Sequence, residues 1–339
     1  MHRFGQTILL LCFAFPAGAQ TIAFPSRATN ALTGSEFARR FELSGLKERE
    51  AAVRGQILGG NLPAFIRKFC PVEITNVVEG RTNIGRFFVT PDYLAIGHNE
   101  DYLLMPMTPE TAQRIADTFA CTLPTRKMVD AIYDAAEVKL PPLPIPPSPA
   151  MTTLAVFAQH NEMVRTQRAA FRISHPPGAL VAGHKKDVVI SAKLAGTTNK
   201  VAIYGWHRTN GVAIQPLYTG HASTWVDYSH GIRLVQQRMV VNGEKTTIAE
   251  VLADPALAGL ISDEGVIANS RYPTNVHSST GSARSSPLWP GEFVPGHYPG
   301  EMVRELRLPR DVRIVINAPA TNLFYSESTP HPAGSQPPL

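Results

Sequence analysis

The chain has 339 residues, 44% of them hydrophobic and 17% charged, with a formal net charge of +5. A charge this small and this evenly spread offers no basic stripe for nucleic acid, and past the N-terminus no stretch approaches the roughly 20 apolar residues of a membrane helix. The length can bury a substantial core in one large or two modest domains.

His2 and Arg3 precede an apolar run over 8–15, followed by Pro16 and Ala17-Gly18-Ala19. This pattern predicts a secretory signal peptide cleaved after Ala19, a mature chain starting near Gln20, and an exported product, periplasmic or extracellular. Loss of Arg3 with no acid lowers the charge from +5 to +4. Cys12 leaves with the signal, so Cys70 and Cys121 remain, and an oxidising compartment predicts a disulfide between them. Closing about 50 residues, it would stabilise by roughly 3 to 4 kcal/mol. The incompatible alternative makes Cys121 a nucleophile.

In chain order, apolar residues at three- and four-residue intervals predict helix over 32–58, broken by Gly59-Gly60, with a short helix near 65–69. Strands follow at 72–78 and 86–96 around a turn at 79–83. Thr108-Pro109 starts a helix to about Phe119, and Thr125 starts another that turns Met128, Val129, Ile132 and Tyr133 inward. The proline-rich 140–149 reads as an extended strap and 153–168 as a helix. Strands are then expected at 187–194, 200–207, 211–218 and 225–241, with Asn242-Gly243 as a hairpin turn and a short helix at 248–252. An irregular loop over 262–300, a last strand at 312–319 and a disordered tail from 326 complete the chain. The fold class expected is α+β, with a helix-rich N-terminal half (20–139), the strap (140–150) and a mainly antiparallel, strand-rich C-terminal half (151–325).

Four of the eleven histidines, His184, His207, His221 and His230, fall within 183–231 in the strand-rich half, and this clustering locates the expected site. A continuous strand through 225–235 would put Trp225, Asp227, Ser229 and Arg233 on one face and Tyr228 and His230 on the core face. His207 ends its strand beside a turn, and that strand is expected to neighbour the one carrying Asp227 to Arg233. Three chemistries are open. His207, His221, Asp227 and His230 could hold zinc with one open position. Ser229 could be activated by His207 or His221, although no nucleophile elbow surrounds it. Cys121 ahead of a helix could act as a thiolate. Lys185 and Lys186 could bind an anionic substrate or form a charged turn, and Asp92, His98, Glu100 and Asp101 crowd a strand end that reads as a polar hairpin loop.

The order of Cys121, a helix, then the strands "KDVVIS", "KVAIYGWH" and "GVAIQPLYTGHA" resembles the NlpC/P60 cell-wall endopeptidases over 121–235, most closely in "VAIYGWHRTNGVAI". The resemblance implies a nucleophilic Cys121 and His207 or His221 as base. It departs from the family at Ala120-Cys121-Thr122, at Lys200 where a histidine is expected, and in the intervening strap. The residues together lead us to expect an exported hydrolase of a cell-envelope or extracellular polymer, such as peptidoglycan, working through histidine and aspartate. The rival expectation is a noncatalytic glycan- or peptide-binding protein using Trp206, Trp225, Tyr228 and Arg233.

Overall fold

A computed structural model describes residues 21–274. The expected signal segment, the strand at 312–319, the tail and the loop beyond 274 lie outside the described residues.

Two helices open the fold, α1 (Gly34–Arg40) and α2 (Leu46–Leu58). The expected continuous helical pattern divides because Ser44-Gly45 ends the first run, and Gly45 in an extended conformation caps the second. Leu43 lies in the break, fully exposed rather than inward. Then come β1 (Cys70–Val78) and β2 (Arg81–Val89), paired in register from Cys70↔Val89 to Val78↔Arg81. Glu79 and Gly80 both have positive φ, which matches the twist of a two-residue hairpin. A small hairpin, β3 (Ala95–Gly97) with β4 (Tyr102–Leu104), precedes α3 (Pro109–Thr118). Thr108 caps α3 with Pro109 in its first turn, as the sequence predicts.

Next are β5 (Cys121–Thr122) and α4 (Arg126–Ala135). Thr125 caps α4, and Met128, Val129, Ile132 and Tyr133 are buried as expected. After β6 (Val138–Lys139) the chain runs extended and proline-rich to α5 (Leu154–Ala169), then to β7 (Val181–Ala182) and β8 (Lys186–Val188). The strand expected over 187–194 stops at Val188, and Ala192–Leu194 is a 3-10 turn. β9 (Ile203–His207) and β10 (Ala213–Tyr218) form a hairpin.

The long strand expected over 225–241 is instead three short ones: β11 (His230–Gly231), β12 (Val235–Gln236) and β13 (Arg238–Val241). The Asn242-Gly243 turn joins β13 to β14 (Glu244–Thr247), with positive φ at both turn residues. Helices α6 (Ile248–Ala253) and α7 (Ala258–Ile261) follow.

The largest sheet has the order β14-β13-β2-β12-β5, with β1 on the other edge of β2. Strands from both sides of the proline-rich segment therefore share one sheet. Phe87, Val89, Leu123, Ile132, Leu234 and Val235 lie in its core, each large side chain contributing about 1.5–3 kcal/mol by leaving water. The second sheet, ordered β10-β9-β8-β11, carries most of the polar cluster. Its β8–β11 pair is parallel and its other pairs are antiparallel. The class is α+β. No helix among the described residues is long and apolar enough to cross a membrane.

Cys70 and Cys121 are both free. Cys70 pairs with Val89, Val89 with Val235, and Val235 with Thr122, so β2 and β12 lie between the two cysteines. Three strand spacings amount to about 14 Å, beyond the roughly 7 Å a disulfide can span. The expected bridge is therefore not formed in this structure.

Candidate functional site

Three adjoining polar groups are held on and behind the second sheet. The first is built on 225–230. This segment is a tight turn rather than a strand, because Asp227 Oδ1 accepts from the Ser229 amide at 2.8 Å and from the Ser229 hydroxyl at 2.5 Å. The His230 amide also donates to the Asp227 carbonyl. This folding overturns the two-face assignment: Asp227 and His230 meet, with His230 Nε2 3.6 Å from Asp227 Oδ2. That separation is an ion-pair distance, and neither ring nitrogen of His230 has a hydrogen bond. Trp225 Nε1 donates to Asp227 Oδ2 at 3.1 Å, and His221 stacks on Trp225 with ring centroids 5.2 Å apart.

Burial alone would raise the Asp227 carboxyl, but His230, the Ser229 hydroxyl and Lys186 together hold it down at about 2. Burial pushes His230 down to about 4 against the pull of Asp227. At neutral pH the pair is thus a carboxylate beside a neutral imidazole. Asp227, Ser229 and His230 are buried, while His221, Trp225 and Lys186 are half-buried and form a rim.

The parallel pairing of β11 with β8 sets His230 opposite Lys186 and Gly231 opposite Asp187. Lys186 Nζ lies 4.8 Å over the Trp206 ring. Trp206 has φ +60° beside Gly205 at φ +112°, a costly backbone for a bulky residue and of the kind that concentrates at working sites. Lys185 is fully buried, donating to the Tyr228 carbonyl and lying 3.2 Å from His160 Nδ1. Burial lowers Lys185 to about 7, and burial followed by the Lys185 charge lowers His160 to about 2. The Tyr228 hydroxyl donates to the Ile145 carbonyl and accepts from its amide, which fastens the proline-rich strap to the cluster.

A second group lies deeper. Asp187, the other side of β8, accepts from the Tyr93 hydroxyl at 2.7 Å and faces Arg233 Nε at 3.9 Å. Burial, only partly offset by Arg233, raises Asp187 to about 6. Arg233 also donates to the carbonyls of Thr90 and Val181 and lies over the Tyr93 ring. Beside it His184 Nε2 stands 3.2 Å from Asp92 Oδ1. In the third group His207 Nε2 bonds Asp130 at 3.0 Å, Tyr204 bonds the same oxygen, and Tyr133 stacks on the imidazole.

The expected site residues therefore divide. His221, Asp227, Ser229 and His230 come together with Trp225, Lys185 and Trp206. His207 keeps its own acid, and β8 intervenes between its strand and β11, so the two are not the sheet neighbours expected. Among the described residues no three His, Cys, Asp or Glu side chains gather as a metal would require, so the expected zinc set is not assembled. Ser229 spends its hydroxyl proton on Asp227 rather than on a histidine.

Cys121 is buried in the core of the large sheet with its thiol turned to the Phe119 carbonyl, and burial raises it far above the usual thiol range. Arg233, Tyr228 and Lys185, expected to meet substrate, are buried and engaged internally. His98 pairs with Glu100 in the β3–β4 loop, and Asp101 accepts from Ser35 at the start of α1. Sequence reasoning missed His160, although it shares the buried face of α5 with Leu154, Phe157 and Val164. It also missed Tyr93 and Asp130.

No family model matches the chain, so the likeness to the NlpC/P60 endopeptidases gains no support there, and no curated protein or solved structure matches it either.

Proposed function

We propose that the protein is an exported hydrolase of a cell-envelope or extracellular polymer, with peptidoglycan the leading substrate and His230 the general base. The observation that carries this reading is the buried Asp227 carboxylate beside the neutral His230 imidazole, beneath a half-exposed rim of Trp225, His221 and Lys186. Asp227 at Nε2 favours the tautomer protonated there and leaves Nδ1 as the base. Nδ1 takes a proton from water, the hydroxide adds to the scissile centre, and the imidazolium returns the proton to the leaving group while Asp227 stabilises its charge. A 3.6 Å contact in the free protein is compatible with closure on substrate. Lys186 over Trp206 is suited to an anionic group on the polymer. The export-like start of the chain supports the choice of substrate.

The rival reading, a noncatalytic glycan- or peptide-binding protein, is favoured by one observation: the stacked His221–Trp225 pair beside Lys186 on Trp206 makes a platform that needs no chemistry. Purified protein incubated with peptidoglycan sacculi, with soluble products resolved by chromatography, separates the two. Hydrolysis predicts released fragments and a loss of about 10² to 10⁴ in rate for His230→Gln. Sacculus binding without release, equal in wild type and His230→Gln, would establish the binding module instead.

A further inference from the structure

The end of α5, the β3–β4 hairpin and the segment around Gly178 enclose a cleft of about 240 Å³, whose wall includes Asp92 and Val181 of the second group but no residue of the Asp227–His230 group. Arg165, Arg168 and Arg172 line it, spaced three and four residues apart so that they share one side of the helix and the turn after it. Cations at a helix C-terminus need no ligand to explain them. Arg168 is different. It is 8% exposed, its Nη2 donates to the Pro176 carbonyl, and its Nη1 has no hydrogen-bond partner among the described residues. A buried guanidinium nitrogen without a partner costs free energy unless something supplies an acceptor.

The neighbouring charges do not supply one. Arg165 is taken by Glu162 and the Glu100 carbonyl, and Asp92, at the cleft wall, faces His184. Arg172 is exposed, and its guanidinium makes no hydrogen bond among the described residues. Phe65 and Tyr102, in edge-to-face contact with centroids 5.2 Å apart, give the cleft an aromatic side. Burial, then the Asp92 charge, raises the Tyr102 hydroxyl to about 12, so it stays protonated.

We propose that this cleft binds the oxyanion of a small organic ligand, a carboxylate or a phosphate, between Arg168 and Arg172, with the ligand's apolar part against Phe65 and Tyr102. Paired guanidinium groups suit both oxyanions. The site is separate from the Asp227–His230 pair and does not depend on what that pair does.

Isothermal titration of the full chain with phenyl phosphate, benzoate and inorganic phosphate at fixed ionic strength tests this. Phenyl phosphate or benzoate should saturate one site, and inorganic phosphate, lacking the ring, should bind more weakly. The stronger of the first two identifies the oxyanion. Arg172→Gln, at an exposed position, should weaken that binding about tenfold or more, since a hydrogen bond to a charged group is worth at least that. Arg168→Met should weaken it further, and Arg172→Gln alone decides the matter if Arg168→Met does not fold. His230→Gln should leave binding unchanged. Absence of saturation by all three probes up to about 10 mM, or equal affinity in Arg172→Gln and wild type, overturns the proposal.

Discussion

Gly231 occupies a position that no larger residue fits. A Cβ there would stand 2.6 Å from Cδ1 of Tyr93 and 2.8 Å from Cβ of Lys185, so the ring and the start of the lysine stem would both have to move. Gly231→Ala should destabilise by about 1–3 kcal/mol, the usual cost of overpacking, as read by chemical denaturation. A stability equal to wild type would mean that the β8–β11 pair separates freely. Lys185 adds a pH dependence. Its ammonium titrates near 7 in the folded chain against 10.5 when unfolded. Between those values the unfolded chain holds the extra proton, so stability rises with pH from about 7 to about 10. The thermal midpoint by circular dichroism should climb across that window, and Lys185→Met should flatten the climb. His230 acts likewise at lower pH, its folded value near 4 lying below the ordinary 6.5, so stability rises between about 4 and 6.5. Asp187, raised to about 6 from 3.8, opposes it, because there the folded chain holds the extra proton and stability falls as pH rises from about 4 to 6.

Among the elements, those with local causes were legible in the sequence. Thr108-Pro109 and Thr125 begin helices because hydroxyl caps and a first-turn proline act within one turn, and Asn242-Gly243 closes a hairpin because both residues tolerate positive φ. Asn242→Ala, at φ 52°, should therefore cost about 1–2 kcal/mol. The segment 225–235 departs from its expected strand for the opposite reason. Its alternation of polar and apolar residues imitates a strand, but Asp227 bonds Ser229 two residues on and turns the backbone, a competition that periodicity cannot register. The strap illustrates a further limit. Its extended course follows from its prolines, yet its attachment through Tyr228 depends on a partner 83 residues away. Tyr228→Phe leaves the Ile145 amide and carbonyl without that hydroxyl. It should lower stability by about 1–3 kcal/mol and speed hydrogen exchange at Ile145, while unchanged exchange would show the strap held by its apolar contacts alone.

For the molecule as a whole, the division at the strap does not separate the sheet. β1, β2 and β5 precede the strap, β12, β13 and β14 follow it, and all six share one sheet. Fragments covering 21–148 and 149–274, expressed apart, should each lack a cooperative unfolding transition, and a sigmoidal melt for either would show that one half folds alone. The same interleaving explains how much of the site could be read. The turn supplying Asp227 and His230 and the half-buried Trp225 lie close in sequence, so residue clustering found them. His160, Tyr93 and Asp92 arrive from α5 and from the loop before β3, and only the assembled sheet brings them there.

Two of the chain's three tryptophans flank this site. Trp225 stacks on His221 while its indole N–H is held by Asp227, and Trp206 lies under the ammonium of Lys186. Each ring therefore touches a titratable side chain. Because an imidazolium quenches indole emission more strongly than a neutral imidazole does, protonation of His221 should dim Trp225. Tryptophan emission followed through a pH titration therefore gives this cluster an optical readout that needs no added label.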